Sequence, residues 1–479
     1  MTARSPHLSP SAVRTALADA LAQLRRDLEL TDDYPRAAVD EARRVAAGPA
    51  VDGSDDARTD LTGVPFHTID PAGSRDLDQA LHLARDGRGF VARYAIADLA
   101  AFVAPGGALD EETRRRGQTL YAPDGSVPLH PEVLSHGAAS LLPGERRRAY
   151  VWTFHLDEHG MERNSDLTRS WIRSVRQWTY AEAQSEIDAG SAPPEVALLR
   201  DLGRLRIARE ADRGGASLNS PEEEIIAGPD GYELRRRTPL PVEEWNAQLS
   251  LLTGMAAARL MLAAGVGILR TLPPAEPDAL AEFRRKVALL ERPWRDGIAY
   301  GDYLRHLDPS DPATPAVLQA ASALFRGADY ASFDGEPPAQ QTQAAIGAPY
   351  AHATAPLRRL VDRWVLAICE AEANHRPAPE WARASLPELP SIMRESGALA
   401  SRLEGGALDR IEAAVLHARI GQVLDAVVLA ETKGGSRVQI ADPFVTATIR
   451  EKPQPGSRVR VRVLDTRIAT GEVDLELAS

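Results

Sequence analysis

The chain has 479 residues, 44% of them hydrophobic and 26% charged, with a formal net charge of −12. That length exceeds a single hydrophobic core and implies two to four domains, and the lone Cys369 excludes an internal disulfide or a thiolate metal cage. No run approaches the eighteen or more apolar residues of a membrane helix and the polar start Met1-Thr-Ala-Arg-Ser-Pro lacks a secretory h-region, so the expected location is the cytoplasm.

Lysine occurs only at 286, 433 and 452, so the positive charge is nearly all guanidinium, clustered at 114–116, 146–148, 235–237 and 358–359. Such groups suit bidentate phosphate contacts. An acidic shell around a basic interior channel reconciles these clusters with the net charge; a solvated face is the plainer reading of each triplet.

Residues 9–47 read as two helices. Val13, Ala16-Leu17, Ala20-Leu21, Leu24 and Leu28 recur at three and four, and after a break at Thr31–Pro35 an alanine-rich helix runs from about 35 to 47. Gly48 to Gly63 has linker composition. Short alternating strands follow from Phe66 to Ala104, one of them ending at Asp98, whose carboxylate either supports a metal site or makes structural hydrogen bonds. Within this stretch Asp70, Asp76 and Asp78 fall close together, with Gly73-Ser74 allowing a tight loop. Crowded carboxylates raise one another's pKa, so the cluster makes sense around a divalent cation, an acidic surface turn being the alternative. Tyr121 precedes a Pro-Asp-Gly turn, a place from which an aromatic faces a cavity unless it is a core residue. Ser170 to Ser185 reads as strand then helix and contains Tyr180. Helices dominate 243–415, broken by proline-rich turns at 273–277 and 308–315 and a loop at 335–350. Pro356 suits a first helical turn, which would set Arg358 at the positive end of a helix dipole. Beyond Arg419 come five short β-branched strands, with Arg458, Arg460 and Arg462 alternating onto one face.

The stretch Thr68-Ile69-Asp70 to Asp76-Leu77-Asp78-Gln79-Ala80 resembles the acidic signature T-I-D-x5-D-x-D-D-A of the RNB family of 3′-to-5′ exoribonucleases. Ile96-Ala97-Asp98, Leu109-Asp110, Arg116-Gly117, Tyr121, Pro128, Pro131, Leu134-Ser135 and Ser140-Leu141-x-Pro143 follow in the family's order. Tyr350-Ala-His-Ala-Thr354-Ala-Pro356-Leu-Arg358-Arg359-Leu-Val-Asp362 is similar to Y-x-x-F-T-S-P-I-R-R-Y-x-D. The resemblance implies an α+β multidomain chain. A small helical N-terminal domain over 1–62 would replace the family's cold-shock barrels, either as a helix-turn-helix or as packing on the catalytic body. An RNB catalytic domain would span 63–415, and a five-stranded S1-type OB barrel 418–479.

It also implies roles. Asp70, Asp76 and Asp78 would bind one or two Mg²⁺ or Mn²⁺ ions, and Asp78, Arg358 and Glu404 would be catalytic. Tyr121 would stack on the 3′-terminal base. Tyr180 would touch the ribose 2′-hydroxyl beside Gln248, which gap-free counting places at the family's glutamate. Arg359, Arg458, Arg460 and Arg462 would contact RNA, with an Arg359–Asp362 ion pair as the alternative. Gln79 stands where the family commonly has a fourth aspartate. Its carbonyl could still reach a metal, but the lost charge implies weaker affinity or a site that substrate phosphate completes. The expected function is a monomeric exoribonuclease that shortens single-stranded RNA from its 3′ end to nucleoside 5′-monophosphates, with no nucleotide cofactor and no membrane. The alternative is a catalytically impaired RNB-fold protein that binds RNA 3′ ends or another partner.

Overall fold

Alternating burial of Leu81 and Leu83 along Gln79–Asp86, and of Phe90, Ala92 and Tyr94 along Gly89–Ala97, folds these strands into an antiparallel hairpin. The computed structural model describes residues 10–216, 222–228, 231–237, 239–308, 311 and 313–478, with backbone alone at 10, 222–228 and 231–236. The side chains of Arg235 and Arg236 thus lie outside the described residues. Gly89–Ala97 pairs with Arg146–Leu156, which pairs with the long strand Glu162–Thr179. The end of that strand runs parallel to Phe66–Asp70, which pairs back on Gln79–Asp86 at His67 and Leu81, so the circuit of pairings closes. Asp70 lies opposite Thr179. The acidic loop therefore leaves the sheet beside Tyr180.

One face of this sheet buries Trp152, Phe154 and Trp178 with residues of the helices Pro194–Asp212, Pro241–Ala264 and Val361–Ala373. Phe90 and Phe154, almost fully buried, each contribute about 1.5–3 kcal/mol. Pro241–Ala264 is long and apolar enough to cross a bilayer by length and composition, which corrects the expectation that no segment comes near that limit. Burial explains its character: Trp245, Leu249, Leu252, Ala256 to Ala258 and Met261 belong to the core. At Gly254 a Cβ would lie 2.1 Å from the Tyr350 ring and 2.5 Å from the Ala351 carbonyl, so the missing side chain admits residues 350–351 against the helix.

The N-terminal helices are Pro10–Asp27 and Arg36–Ala47, and they join different cores. Leu17, Ala20, Leu21 and Leu24 pack into the cluster of Leu403, Ala407, Ile411 and the C-terminal strands, with Leu24 seated 3.0 Å from where a Cβ on Gly406 would stand. Ala42 and Val45 instead join Phe66, Leu77, Leu99 and Phe102. Each helix thus braces the body, the packing alternative of the sequence reading.

The last five strands, Val423–Thr432, Gly435–Ile440, Val445–Ile449, Arg458–Arg467 and Glu472–Leu477, close a barrel filled by Val428, Val438, Ile440, Val445, Val461 and Val463. Arg458, Arg460 and Arg462 are exposed as expected, but Arg460 lies opposite Asp425 and Arg462 stands 3.5 Å from Glu476. Two arginine triplets do not form a basic channel. Arg114 bonds Asp110 and Glu388, Arg115 and Arg116 bond Glu112, and Arg148 holds Asp55 while Arg146 covers the Trp171 ring.

Candidate active site

Three segments distant in sequence meet at Leu357. Asp78, the residue before the strand Gln79–Asp86, accepts the Leu357 N–H on Oδ1 at 2.7 Å, and Nδ1 of buried His130 lies 3.0 Å from the Leu357 carbonyl. A carbonyl only accepts, so Nδ1 carries the proton. Burial pushes the His130 pKa down to about 4, keeping the ring neutral. The Thr119 N–H donates to the Arg358 carbonyl at 2.9 Å. These ties leave the Arg358 guanidinium 3.7 Å from Oδ2 of Asp78. The helix begins only at Val361, so Pro356 and Arg358 occupy the turn before it, a correction to the expected first-turn placement.

The acidic loop is buttressed by Ser140, whose hydroxyl accepts from the Leu77 N–H and donates to the Arg75 carbonyl. Burial lifts the Asp70 carboxyl to about 7, with Asp76 adding to the rise and Thr68 and Arg358 opposing it. Burial likewise holds Asp78 well above the usual carboxylate range against the pull of Arg358. Oδ2 of Asp70 is buried and makes no hydrogen bond of sound geometry. Buried carboxylates with an orphan oxygen are what a hard divalent cation satisfies, so these residues fit the expected metal. They do not converge as expected. Among the described residues no three His, Cys, Asp or Glu side chains are grouped to hold an ion. Two of the three have other engagements: Asp76 accepts the Tyr121 hydroxyl at 3.1 Å, and Asp78 is tied to Leu357 and Arg358.

Gln79 also differs from expectation. Its amide N–H donates to the Thr354 carbonyl at 2.7 Å, which fixes the amide orientation and turns its oxygen to the Tyr94 hydroxyl. The oxygen that could have reached a metal accepts from the Tyr94 hydroxyl instead, and an aspartate carboxylate could not make the bond to Thr354.

Tyr121 sits on the hairpin Leu120–Ala122 and Gly125–Val127 and is 52% exposed, so the core-tyrosine reading fails. It lines a cavity of about 960 Å³ together with Arg358, Arg359 and Glu404 of the helix Leu389–His417. The guanidinium of Arg359 grips both oxygens of Asp362, the ion-pair alternative, at the wall of the same cavity. Tyr180 opens the helix Tyr180–Ala189 under a Thr179–Glu182 capping box. Burial raises its pKa, as does Asp70, while a hydrogen bond with Asn246 opposes. Gln248 is not its partner. That side chain is buried and donates to Glu210 at 2.8 Å, on another face of the helix. Asp98, fully buried, takes Arg58, Arg169 and the Ala101 N–H, the structural alternative.

Residues 58–372 match the profile described as RNB domain, and residues 422–478 that of the RNase II-type exonuclease C-terminal S1 domain. The chain belongs to the RNB family. Ribonuclease R from Mycoplasma pneumoniae is 32% identical over 189 residues, 38% of this chain and 26% of that protein. Ribonuclease R 1 from Lactococcus lactis is 24% identical over 496 residues, 94% of this chain and 60% of that protein. The RNB chain thus spans only part of the length of these curated relatives. Mycoplasma genitalium RNase R, solved with ribose methylated single-stranded RNA, superposes with a TM-score of 0.86 at 18% identity, over 97% of this chain and 78% of that one. Yeast Ssd1, described as a pseudonuclease, gives 0.72 at 15% identity over 93% and 58%. Both show the shared RNB fold.

Sequence reasoning misses part of this RNB cavity. Arg270, Tyr330 and His352 also line it, with the Tyr330 hydroxyl hydrogen-bonded to Nδ1 of His352 at 2.6 Å and Arg270 4.7 Å from the Tyr330 ring. Burial and the flanking arginines keep His352 neutral. Residues 270 and 330 are cross-strand partners, a signal that needs the register of Val266–Thr271 against Asp329–Asp334.

Proposed function

We propose that the chain is a 3′-to-5′ exoribonuclease that hydrolyses single-stranded RNA to nucleoside 5′-monophosphates, as a monomer in the cytoplasm, with Mg²⁺ or Mn²⁺. Residues 63–415 carry catalysis, the helices before residue 62 brace them, and the barrel of 418–479 guides RNA. The observation that carries this reading is the contact of Arg358 with Asp78 at a cavity that also presents Tyr121 and Glu404. Asp70, Asp76 and Asp78 would hold the cation, substrate phosphate completing the set. A divalent ion supplies water activation and charge neutralisation when bound. Arg358, half-exposed, offers its guanidinium to the scissile phosphate. Tyr121 offers an exposed ring to the last base, and Tyr180 with Asn246 a hydroxyl and an amide to the ribose. RNase R relatives, one solved with single-stranded RNA, support the reading.

Labelled single-stranded RNA incubated with Mg²⁺ or with EDTA tests it, with mononucleotides expected only in the presence of metal. A second reading, an RNA 3′-end binder without catalysis, is favoured by the engaged oxygen of Gln79 and has a fold precedent in Ssd1. Binding without cleavage in either buffer would select it. Tyr121→Ala is expected to weaken short-RNA binding by about 1–3 kcal/mol in a filter-binding titration with an unchanged melting temperature, because the ring it removes is exposed.

A further inference from the structure

A second cavity, of about 360 Å³, lies where the strand Glu162–Thr179 begins, against the helices Pro194–Asp212 and Pro241–Ala264, and shares no lining residue with the first. Arg206, Arg209, Arg213 and Arg259 line it with two acids, Glu162 and Asp212. Arg259 pairs with Glu162, and Arg209 with Asp212 at 2.9 Å. Among the described residues, Arg206 and Arg213 have no carboxylate within ion-pair distance. Arg206 is 4% exposed. Its Nη1 donates to the Gly160 carbonyl, while its Nε, like Nε of Arg209 and Nη2 of Arg213, is buried without a partner. Burial pulls the Arg206 pKa down to about 10, with Arg213 adding to the fall and Glu162 opposing. A buried cation with no carboxylate in contact is a costly arrangement, and here it lines a cavity.

The rest of the wall is apolar: Met161, Leu252, Met255, Ala348 and Pro349. We propose that this cavity binds a nucleoside 5′-monophosphate, its phosphate on Arg206 and Arg213 and its base against the methionines. Two guanidinium groups with no ion-pair partner among the described residues match a phosphomonoester dianion. Thioethers pack well on flat rings, and the volume lies within the range of small-molecule sites. The choice of a nucleotide among phosphomonoesters rests on the exoribonuclease reading, which releases that class.

Equilibrium dialysis of the full chain in EDTA against AMP, adenosine and inorganic phosphate tests the site. AMP is expected to bind with one equivalent that persists in Arg358→Ala and weakens at least tenfold in Arg206→Met and Arg213→Gln, with adenosine and phosphate each at least tenfold weaker than AMP. Arg213 is only half-buried, so its variant reports even where Arg206→Met fails to fold. Binding lost in Arg358→Ala but kept in Arg213→Gln assigns the AMP to the first cavity and overturns the proposal. Adenosine binding as tightly as AMP overturns phosphate recognition, and phosphate binding as tightly as AMP overturns the nucleotide. A chain that binds AMP here yet degrades no RNA supports this site and sinks the exoribonuclease reading alone.

Discussion

Asp78→Asn is expected to lower mononucleotide release by about 10³-fold, a loss of about 4 kcal/mol in transition-state stabilisation, with RNA affinity kept. The amide still accepts the Leu357 N–H that positions residues 357 and 358, so the cavity keeps its shape. What disappears is the negative charge facing Arg358 and any metal. Single-turnover hydrolysis of labelled RNA, with filter binding beside it, reads the two effects separately. Unchanged turnover would remove Asp78 from the site. Loss of binding and turnover together would make its role structural.

The largest stability effect is expected at Asp98. This carboxylate is fully buried between Arg58 and Arg169, both 2.7 Å away, and its removal leaves Arg58 with only Asp55, 3.4 Å off, and Arg169 with only Asp52. Asp98→Ala should cost about 3–5 kcal/mol, visible as a large fall in the thermal midpoint. Burial raises the Asp98 pKa, but Arg169 and Arg58 outweigh it and hold the carboxyl below its ordinary value. The unfolded chain therefore binds the proton first as the pH falls. The stability this group contributes is complete above the unfolded value of about 4 and is lost as the pH falls through the folded one. Asp98→Asn should flatten that acid limb, and an unchanged pH profile of the midpoint would show that the trio does not work as a unit.

Elements with a strong period or a dense motif are legible in the amino-acid sequence alone. The two N-terminal helices, the hairpin after the acidic loop and the five barrel strands lie within a few residues of their expected positions. Asp78, Arg358, Tyr121 and Glu404, spread over more than three hundred residues, come to one region as the motifs imply. What fails depends on direction rather than identity. Asn246 and Gln248 are two residues apart, which on a helix is a rotation of about 200°, so a small slip in counting moves the ribose partner to the wrong face. The arginine triplets mislead because a charge run does not report which acids other elements bring to it. In the sequence Gln79 stands out for what it lacks, a charge, while its added reach to Thr354 shows only once residues 79 and 354 are side by side.

The first helix has a consequence for biosynthesis. Leu17, Leu21 and Leu24 leave the ribosome early, yet their seat on Leu403, Ala407 and the barrel is made last. The partner helix emerges roughly 360 residues later, so at about 5–20 residues per second that greasy stripe stays uncovered for about 20–70 s. A nascent chain stalled before residue 389 should therefore recruit holdase chaperones through its N-terminal segment, and release them when translation resumes.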